Sequence, residues 1–408
     1  MISGTLPCGL RYAVKRSSSA VGYCSLSTRC GTRDEEGFHN GIAHFTEHTL
    51  FKGTSRKSAS TINGYLDRLG GELNAFTTKE EIVLHATVLK EDVWKAAALL
   101  FELATDPTFP EDEIETEKGV VIDEINSYKD SPAEDAYDRF EQLLFEGHPL
   151  SSLILGTVSS VKKIGREELL RFNREKFLPG NMAFSIVADM DEKKMEKKVM
   201  QIAGKLFSSA GPQVPQRTLM KPAAPSFDKS IGRKSHQVTC IVGSTAPSLY
   251  EEEERLATVL LCNILGGPAS NSILNSVLRE KNGWVYNVEC NYTQYADSGI
   301  VAICLGCEKD SLELCLKVIE HELGRLMKAP LSPARLKAAK KQILGQLAIS
   351  SDNGETQCLS MGKSLLSYGQ VSPDSRTREK VEAITAEQVM EAARRVFAEG
   401  KVSRFIYH

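Results

Sequence analysis

The sequence has almost no net charge and no long hydrophobic run. Its 50 basic and 53 acidic residues leave a formal net charge of −3, which gives no sign of a nucleic-acid or membrane-surface binder. The most apolar stretch, residues 96–104, contains Glu102 and is far shorter than the ~20 residues needed to cross a bilayer. The first residues also lack the basic and apolar segments of an export signal. We therefore expect a soluble, cytoplasmic protein without nucleic-acid or membrane partners.

The sequence also lacks a regular pattern of paired cysteines. Its ten cysteines are scattered, as is typical of small buried residues in a reducing compartment. Cys304 and Cys307 form one close pair, but no second pair and no histidine lies near them in the sequence. We therefore expect these cysteines to pack in a core and not to bind metal.

The length of 408 residues indicates two domains, because single cores stop growing at about 250 to 300 residues. Prolines at positions 212, 215, 222 and 225 mark the one long Pro-rich polar segment. We predict a first domain at residues 1–211, a linker at 212–226 and a second domain at 227–408. Clusters of strands and helices in each half favour an α+β fold.

The second half repeats the pattern of the first but lacks two of its acidic residues. A shift of 222 residues, which takes position 109 to position 331, aligns the apolar positions of two helical segments. At this alignment Ala339 stands in the place of Glu117, and Gln346 stands in the place of Glu124. The pattern predicts a duplication whose second copy keeps the scaffold but has lost the metal chemistry.

Three potential metal-site residues lie within the predicted helix around residues 44–48. On a helix His48 lies about 40° round from His44, so both imidazoles can bind one ion from the same face. Glu47 lies about 60° away on the other side of His44 and can work beside the ion without binding it. The order His-x-x-Glu-His is the reverse of a familiar zinc-site pattern.

A third protein ligand is needed for a catalytic zinc site, and the predicted helix at residues 111–128 offers two candidates. Glu117 and Glu124 share a face with Val120 and Val121. The valines indicate that this face is partly buried, and a buried carboxylate needs a positive partner. A metal ion would be such a partner, but the spacing alone leaves open which glutamate binds it.

The chain resembles the inverted-zincin metallopeptidases of the pitrilysin and insulinase type, in particular the mitochondrial processing peptidases and their bacterial relatives. The resemblance covers essentially the whole chain. It is most specific at residues 44–48, 51–54, 70–77, 117–126 and 279–286. It implies two homologous α+β domains, each an antiparallel β-sheet packed against α-helices.

The resemblance also implies roles for single residues. His44, His48 and Glu124 are the expected zinc ligands, with one Zn²⁺ per chain. Glu47 is the expected general base, and Glu117 is the second carboxylate of the catalytic site, which supports the ligands.

The same resemblance implies substrate-binding residues in both halves. Asn74 and Ala75 correspond to residues of an edge strand that pairs with the peptide backbone. Arg279 and Tyr286 correspond to a pair that holds substrate from the second half. Three residues depart from the family pattern, and we expect altered packing from them and no loss of chemistry: Thr46, Thr49 and Trp284.

The expected activity is that of a zinc-dependent endopeptidase that hydrolyses unfolded or extended peptides with metal-activated water. The expected assembly is a homodimer that encloses the peptide as a clamshell. The alternative is a non-catalytic or partner-dependent subunit of a heteromeric processing peptidase. The complete set of expected catalytic and metal-binding residues favours the enzyme.

Overall fold

The computed structural model describes residues 1–207, 214, 217–233 and 237–408. The strands in these ranges are β1 Ile2–Thr5, β2 Arg11–Arg16, β3 Val21–Thr28, β4 Glu72–Thr77, β5 Ile82–Leu89, β6 Met182–Ala188, β7 Asp228–Ile231, β8 Val238–Ala246, β9 Val285–Gln294, β10 Gly299–Cys307 and β11 Ser403–Tyr407. The helices are α1 Ile42–Leu50, α2 Ala59–Asp67, α3 Val93–Thr105, α4 Glu111–Asp130, α5 Pro132–Leu144, α6 Val158–Val161, α7 Arg166–Lys176, α8 Glu192–Leu206, α9 Glu252–Gly266, α10 Lys309–Lys328, α11 Pro333–Asp352, α12 Gly354–Tyr368, α13 Asp374–Ala383 and α14 Ala386–Phe397. A π-helical segment, Asn275–Lys281, lies between α9 and β9.

The chain divides into two compact units. Unit 1 consists of Met1–Ser127, Ser152–Arg217 and Ala348–Ser372, and unit 2 consists of Tyr128–Ser151, Thr218–Leu347 and Pro373–His408. The boundary at Arg217 falls within the predicted linker, of which residues 212, 213, 215 and 216 lie outside the described ranges. The units differ from the two halves of the chain at two places, because α5 belongs to unit 2 and α12 belongs to unit 1.

The apolar faces of these two helices explain their placement. In unit 2, α5 packs Ala136, Phe140 and Leu144 into a buried cluster with Ile241 and Phe405 of the sheet. In unit 1, α12 packs onto the central strands of the other sheet. Either helix would expose its apolar face to water if it left its sheet, which is unfavourable.

Unit 1 is built on a six-stranded sheet in the order β1-β2-β6-β3-β5-β4. The main core lies between one face of this sheet and helices including α1 and α3. All seven residues of β6 are buried, as expected for a central strand that is covered on both faces. The strand β4 lies at one edge and is paired with β5.

Unit 2 repeats this topology with a five-stranded sheet in the order β7-β11-β8-β10-β9. The shift of 222 residues takes the bounds of α4 onto those of α11, and it takes the first residue of α5 onto the first residue of α12. It also brings β6 within one residue of the start of β11. The expected duplicated α+β fold is confirmed.

The sheets are not purely antiparallel, which corrects one part of the expectation. Each contains one parallel pair, β2 with β6 in unit 1 and β11 with β7 in unit 2. The remaining pairs are antiparallel. The parallel pair arises because the last strand of each unit inserts between two earlier strands. Within the described ranges, no helix combines the length and apolarity needed to cross a membrane.

Candidate metal centre

Helix α1, which carries the histidine motif, is fixed at its first turn. Gly41 precedes the helix with a φ of 90°, which a side chain would strain. A Cβ at this position would also lie 2.8 Å from the carbonyl oxygen of Leu155. The buried carboxyl group of Glu35 accepts hydrogen bonds from the backbone N–H groups of Gly41 and Ala43, so it satisfies donors that a helix start leaves free.

The side chains of His44 and His48 meet the carboxylate of Glu124 from α4. The Nε2 atom of His44 lies 3.7 Å from Glu124 Oε2, and the Nε2 atom of His48 lies 3.4 Å from the same oxygen. The ring centroids of the two histidines are 4.6 Å apart. Their ligand atoms and that of Glu124 all lie within 4.8 Å of one another. In the part of the chain that the structure describes, this is the one cluster of potential metal ligands found.

This donor set fits a zinc ion. Ligand atoms about 2.1 Å from one ion at tetrahedral angles lie about 3.4 Å apart, which is close to the two measured separations. Two imidazoles and one carboxylate also leave a fourth position open, as catalytic zinc sites do.

Glu117 contacts the same histidine from its other side. Its Oε1 atom lies 2.8 Å from Nδ1 of His48, and its Oε2 atom lies 2.5 Å from Nζ of Lys52. Glu117 is only 4% exposed. The carboxylate of Glu117 accepts a hydrogen bond from Nδ1–H of His48. The Nε2 atom of His48 is therefore directed towards Glu124. The two glutamates that spacing could not distinguish thus occupy different positions, one at each nitrogen of His48.

The charges of these groups depend on one another. Burial and the neighbouring His48 ring lower the pKa of His44 to about 4. Burial opposes a charge on His48, but its hydrogen bonds to Glu117 and Glu124 outweigh burial and raise its pKa to about 9. A metal ion at Nε2 of His48 would therefore compete with a proton for this nitrogen.

Glu47 lies beside this cluster and is held from the edge strand. Its Oε2 atom accepts a hydrogen bond of 2.6 Å from the hydroxyl of Thr77 on β4. Burial raises the pKa of Glu47, although the bond from Thr77 opposes the shift. A carboxylate with a raised pKa is suited to exchanging protons near neutral pH.

The predicted substrate-binding residues Asn74 and Ala75 lie on β4, the edge strand of unit 1. Asn74 is exposed and pairs with His85, whereas Ala75 is half-buried and pairs with Leu84. Within the described ranges, β4 has a strand partner on one edge alone.

The predicted substrate-binding residues Arg279 and Tyr286 belong to unit 2. Arg279 lies in the π-helical segment and is exposed. Tyr286 is the second residue of β9 and is also exposed. Its hydroxyl donates a hydrogen bond of 3.2 Å to Glu308.

Two further residues of the site region were not singled out by sequence reasoning. Lys52 and Thr77 both lie in segments that carry the family resemblance, but neither is a metal ligand type with helical spacing to the histidines. Their contacts with Glu117 and Glu47 join elements far apart in sequence, so only the fold reveals them.

The departures from the family pattern lie at buried or half-buried positions, and in the described ranges the buried hydroxyl of Thr46 has no hydrogen-bond partner. Thr46 and Thr49 are buried in α1, and the Thr49 hydroxyl donates to the carbonyl oxygen of Phe45 at 2.7 Å. Trp284 is half-buried and packs against the core of unit 2. Within the described ranges, none of the three forms a hydrogen bond with His44, His48 or Glu124.

A zinc-type donor set beside a buried carboxylate, on a duplicated α+β fold, is an arrangement suited to metal-dependent hydrolysis. Comparison with known proteins specifies the class further. The family model for insulinase, peptidase family M16, matches residues 11–158, and the model for the peptidase M16 inactive domain matches residues 163–343. The chain belongs to the insulinase family of peptidases, M16.

Relatives with sequence similarity carry the name of zinc protease. An uncharacterized zinc protease of Rickettsia bellii is 30% identical over 383 residues, which are 94% of this chain and 91% of that protein. One of Streptomyces coelicolor is 29% identical over 398 residues, which are 96% of this chain and 86% of that protein. These relatives support a protease role and zinc for this chain.

Solved structures share the fold. A protease from Helicobacter pylori has a TM-score of 0.91 at 19% identity, with 100% of this chain and 98% of that chain covered. A putative M16-like peptidase from Alicyclobacillus acidocaldarius has a TM-score of 0.85 at 20% identity, with coverage of 100% and 97%. At these identities the likeness establishes the architecture alone.

Proposed function

We propose that this chain is a zinc-dependent endopeptidase that hydrolyses unfolded or extended peptides. The observation that carries the proposal is that two imidazole nitrogens lie close to one carboxylate oxygen. The Nε2 atoms of His44 and His48 are 3.7 and 3.4 Å from Oε2 of Glu124. His44, His48 and Glu124 are the proposed ligands of one Zn²⁺ per chain. When bound, zinc would supply a Lewis acid that polarises the scissile carbonyl group and lowers the pKa of water.

The chain's own residues have separate tasks in this proposal. Glu47 takes a proton from the attacking water and passes it to the leaving amine. Glu117 holds the Nδ1 proton of His48, so the other nitrogen is available to the metal. Burial around Glu47 and His44 excludes bulk water and strengthens these interactions.

The edge strand β4 is the proposed site of substrate binding. An extended peptide can add to its free edge through main-chain hydrogen bonds beside Asn74 and Ala75, which gives affinity with loose sequence preference. Folded proteins do not present such a strand, so extended peptides are the expected substrate class. Arg279 and Tyr286 stay predicted substrate-binding residues of unit 2.

Peptide cleavage with a matched pair of variants tests the proposal. Purified protein is incubated with a mixed peptide library with and without a chelator, and the cuts are mapped by mass spectrometry. We expect cleavage that the chelator abolishes and that zinc restores. Glu47→Gln should keep its zinc and lose cleavage by at least about a thousandfold, because the proton acceptor is removed.

Glu167→Gln is the matched control, because the Glu167 side chain is 91% exposed on α7. This variant should cleave as the wild type does. Cleavage by Glu47→Gln at the wild-type rate would show that Glu47 is not the base. A wild type that cuts no peptide after zinc loading would contradict the enzyme and favour the partner-dependent subunit.

We also propose a homodimer and a cytoplasmic location. Support for the dimer is the prediction that residues of the second half complete a peptide-binding site. Sedimentation at several concentrations together with activity assays tests it. A fully active monomer would contradict the homodimer.

A further inference from the structure

The strand β4 presents alternate side chains to its two faces. Leu73 and Ala75 pack against the main core of unit 1. Thr77 follows them at the same spacing of two residues, and it pairs with buried Ile82 of β5. Thr77 therefore points to the core face, where α1 packs, whereas Asn74 points to the other face.

On that core face Thr77 contacts Glu47. The hydroxyl of Thr77 donates to Glu47 Oε2 at 2.6 Å, so one carboxylate oxygen of Glu47 is held and the other is left for a different partner. This bond joins α1, which carries the histidines, to the edge strand of the sheet.

The chemistry of the two residues makes this contact suited to positioning. Glutamate has several rotatable bonds and loses conformational entropy when one orientation is required. Threonine is β-branched and stiff at its first side-chain torsion, and its backbone is fixed by the pairing of β4 with β5. A stiff donor on a fixed strand can restrict the orientation of the carboxylate at little further entropic cost.

We propose that Thr77 is a positioning residue for Glu47. Its hydroxyl fixes one oxygen of the carboxylate, directs the other towards the reacting water, and ties the base to the strand to which substrate adds. The inference rests on the proposed function, in which Glu47 is the base and β4 binds peptide. Thr77 acts on the reaction through Glu47 and is not a proposed metal ligand.

Three variants separate positioning from other roles. Thr77→Val keeps the shape of the side chain and removes the donor, and Thr77→Ser keeps the donor. Thr87→Val is the matched control, because Thr87 lies on β5 among the residues that pair with β4 and, by the alternation of the strand, faces away from α1. Zinc content and thermal unfolding of all three should match the wild type.

Positioning predicts a split between the kinetic constants. For Thr77→Val we expect kcat to fall by about 10- to 100-fold, as for a misplaced catalytic group, while KM stays within about twofold. Thr77→Ser should recover kcat to within about threefold, and Thr87→Val should leave it unchanged. In a Glu47→Gln background, which does not turn over, Thr77→Val should leave the peptide Kd within about twofold.

A crystal structure of Thr77→Val supplies a readout that does not depend on activity. We expect the Glu47 carboxylate to be displaced or to occupy two conformers. An unmoved carboxylate, an unchanged kcat or a loss confined to KM would overturn the proposal. If the wild type cleaves no peptide, the proposed function fails on that result, and the position of Glu47 in this crystal structure still decides whether Thr77 holds it.

Discussion

Helices α4 and α11 occupy the same place in the two repeats but carry different chemistry. Their bounds differ by the same 222 residues at both ends. In unit 1, Glu124 of α4 contacts His48. In unit 2, the residue at the corresponding position is Gln346, whose Oε1 atom accepts a hydrogen bond of 2.9 Å from Asn263 of α9.

The difference separates what the fold requires from what the site requires. An amide pair such as Asn263 and Gln346 joins two helices without burying a charge. The unit 1 pair instead brings an imidazole and a carboxylate together, and these two groups are zinc ligands of a kind that an amide pair does not supply. We infer that unit 1 keeps this pair for the metal that it can bind, and exchanging the two pairs tests this inference.

Converting the unit 1 pair to the unit 2 pair should have the largest effect. In His48→Asn with Glu124→Gln, two of the three proposed ligands are lost. We expect zinc binding to be abolished and peptide cleavage to fall at least about a thousandfold, since several kcal/mol of stabilisation come from the metal. Zinc content and cleavage rate measure this, and retained cleavage would contradict the proposed site.

The reciprocal change is the matched control. Asn263→His with Gln346→Glu gives unit 2 one imidazole and one carboxylate. We expect no second zinc ion, because Ala339 stands in the place of Glu117 and cannot hold the added imidazole. Binding of two zinc ions per chain would show that the difference between the repeats is smaller than we infer.

Replacing Glu117 by the residue of the other repeat should have an intermediate effect. Glu117→Ala removes the acceptor of the His48 Nδ1 proton, so we expect zinc affinity to fall about 10- to 100-fold. Competition with a chromogenic chelator measures it.

Lys52→Met tests how far this support extends. This variant leaves the hydrogen bond between Glu117 and His48 but removes the cation 2.5 Å from Glu117 Oε2. We expect zinc affinity to fall about threefold to tenfold, which is less than in Glu117→Ala. Glu115→Gln is the control on the same helix, since the Glu115 side chain is 72% exposed. A larger loss in this control than in Glu117→Ala would contradict the role of Glu117.

The helices α1 and α9 each have a glutamate near their start, and the two glutamates differ in how their charge depends on pH. We expect this difference to have a smaller effect, which is on the stability of the fold. Burial opposes the charge of Glu251 at the start of α9, but hydrogen bonds from Ser248 and Arg395 outweigh it and lower its pKa to about 2. Glu251 therefore stabilises the fold above its ordinary pKa near 4.5, and this contribution is lost as the pH falls through 2.

Because solvent screens this partly exposed pair, we expect Glu251→Gln to cost about 1 kcal/mol at pH 7. The difference from the wild type should shrink between pH 4.5 and pH 2 in denaturant unfolding. A difference that is constant across this range would contradict the ion pair with Arg395.

Glu35 lies near the start of α1, and its contribution to stability should change with pH in the direction opposite to that of Glu251. Burial raises the pKa of Glu35 to about 8, although the N–H groups of Ala43 and Gly41 oppose the shift. The contribution of Glu35 to the free energy of unfolding should therefore decline as the pH rises from 4.5 to 8, and Glu35→Gln should remove this part of the pH profile. An unchanged pH profile in Glu35→Gln would show that Glu35 is already ionised in the fold.

Local patterns in the sequence were sufficient to predict the duplication and to place His44 and His48 on one face of a helix. Residues His44 and His48 are four apart on one helix, so their shared face follows from helix geometry alone. The alignment of α4 with α11 rests on apolar spacing, which also depends only on neighbouring residues. Both could be predicted before any tertiary contact was known.

Tertiary contacts explain what local spacing could not predict. Spacing could not distinguish Glu117 from Glu124, because both lie on one face of α4 and only the position of α1 assigns each to a different nitrogen of His48. Thr77 lies 30 residues from Glu47 and on another element. The sequence also did not predict that α5 belongs to unit 2 and α12 to unit 1, because an apolar helix face does not specify which sheet covers it.

The zinc content of the wild type and of Glu124→Gln tests the central claim most directly. Each protein is loaded with zinc, separated from free metal by gel filtration and measured by mass spectrometry of the element. We expect one zinc ion per wild-type chain and fewer than about 0.1 per Glu124→Gln chain, because two imidazoles alone do not complete the site. One zinc ion per chain in both proteins would contradict the assignment of Glu124 as a ligand and, with it, the inferred chemical difference between the two repeats.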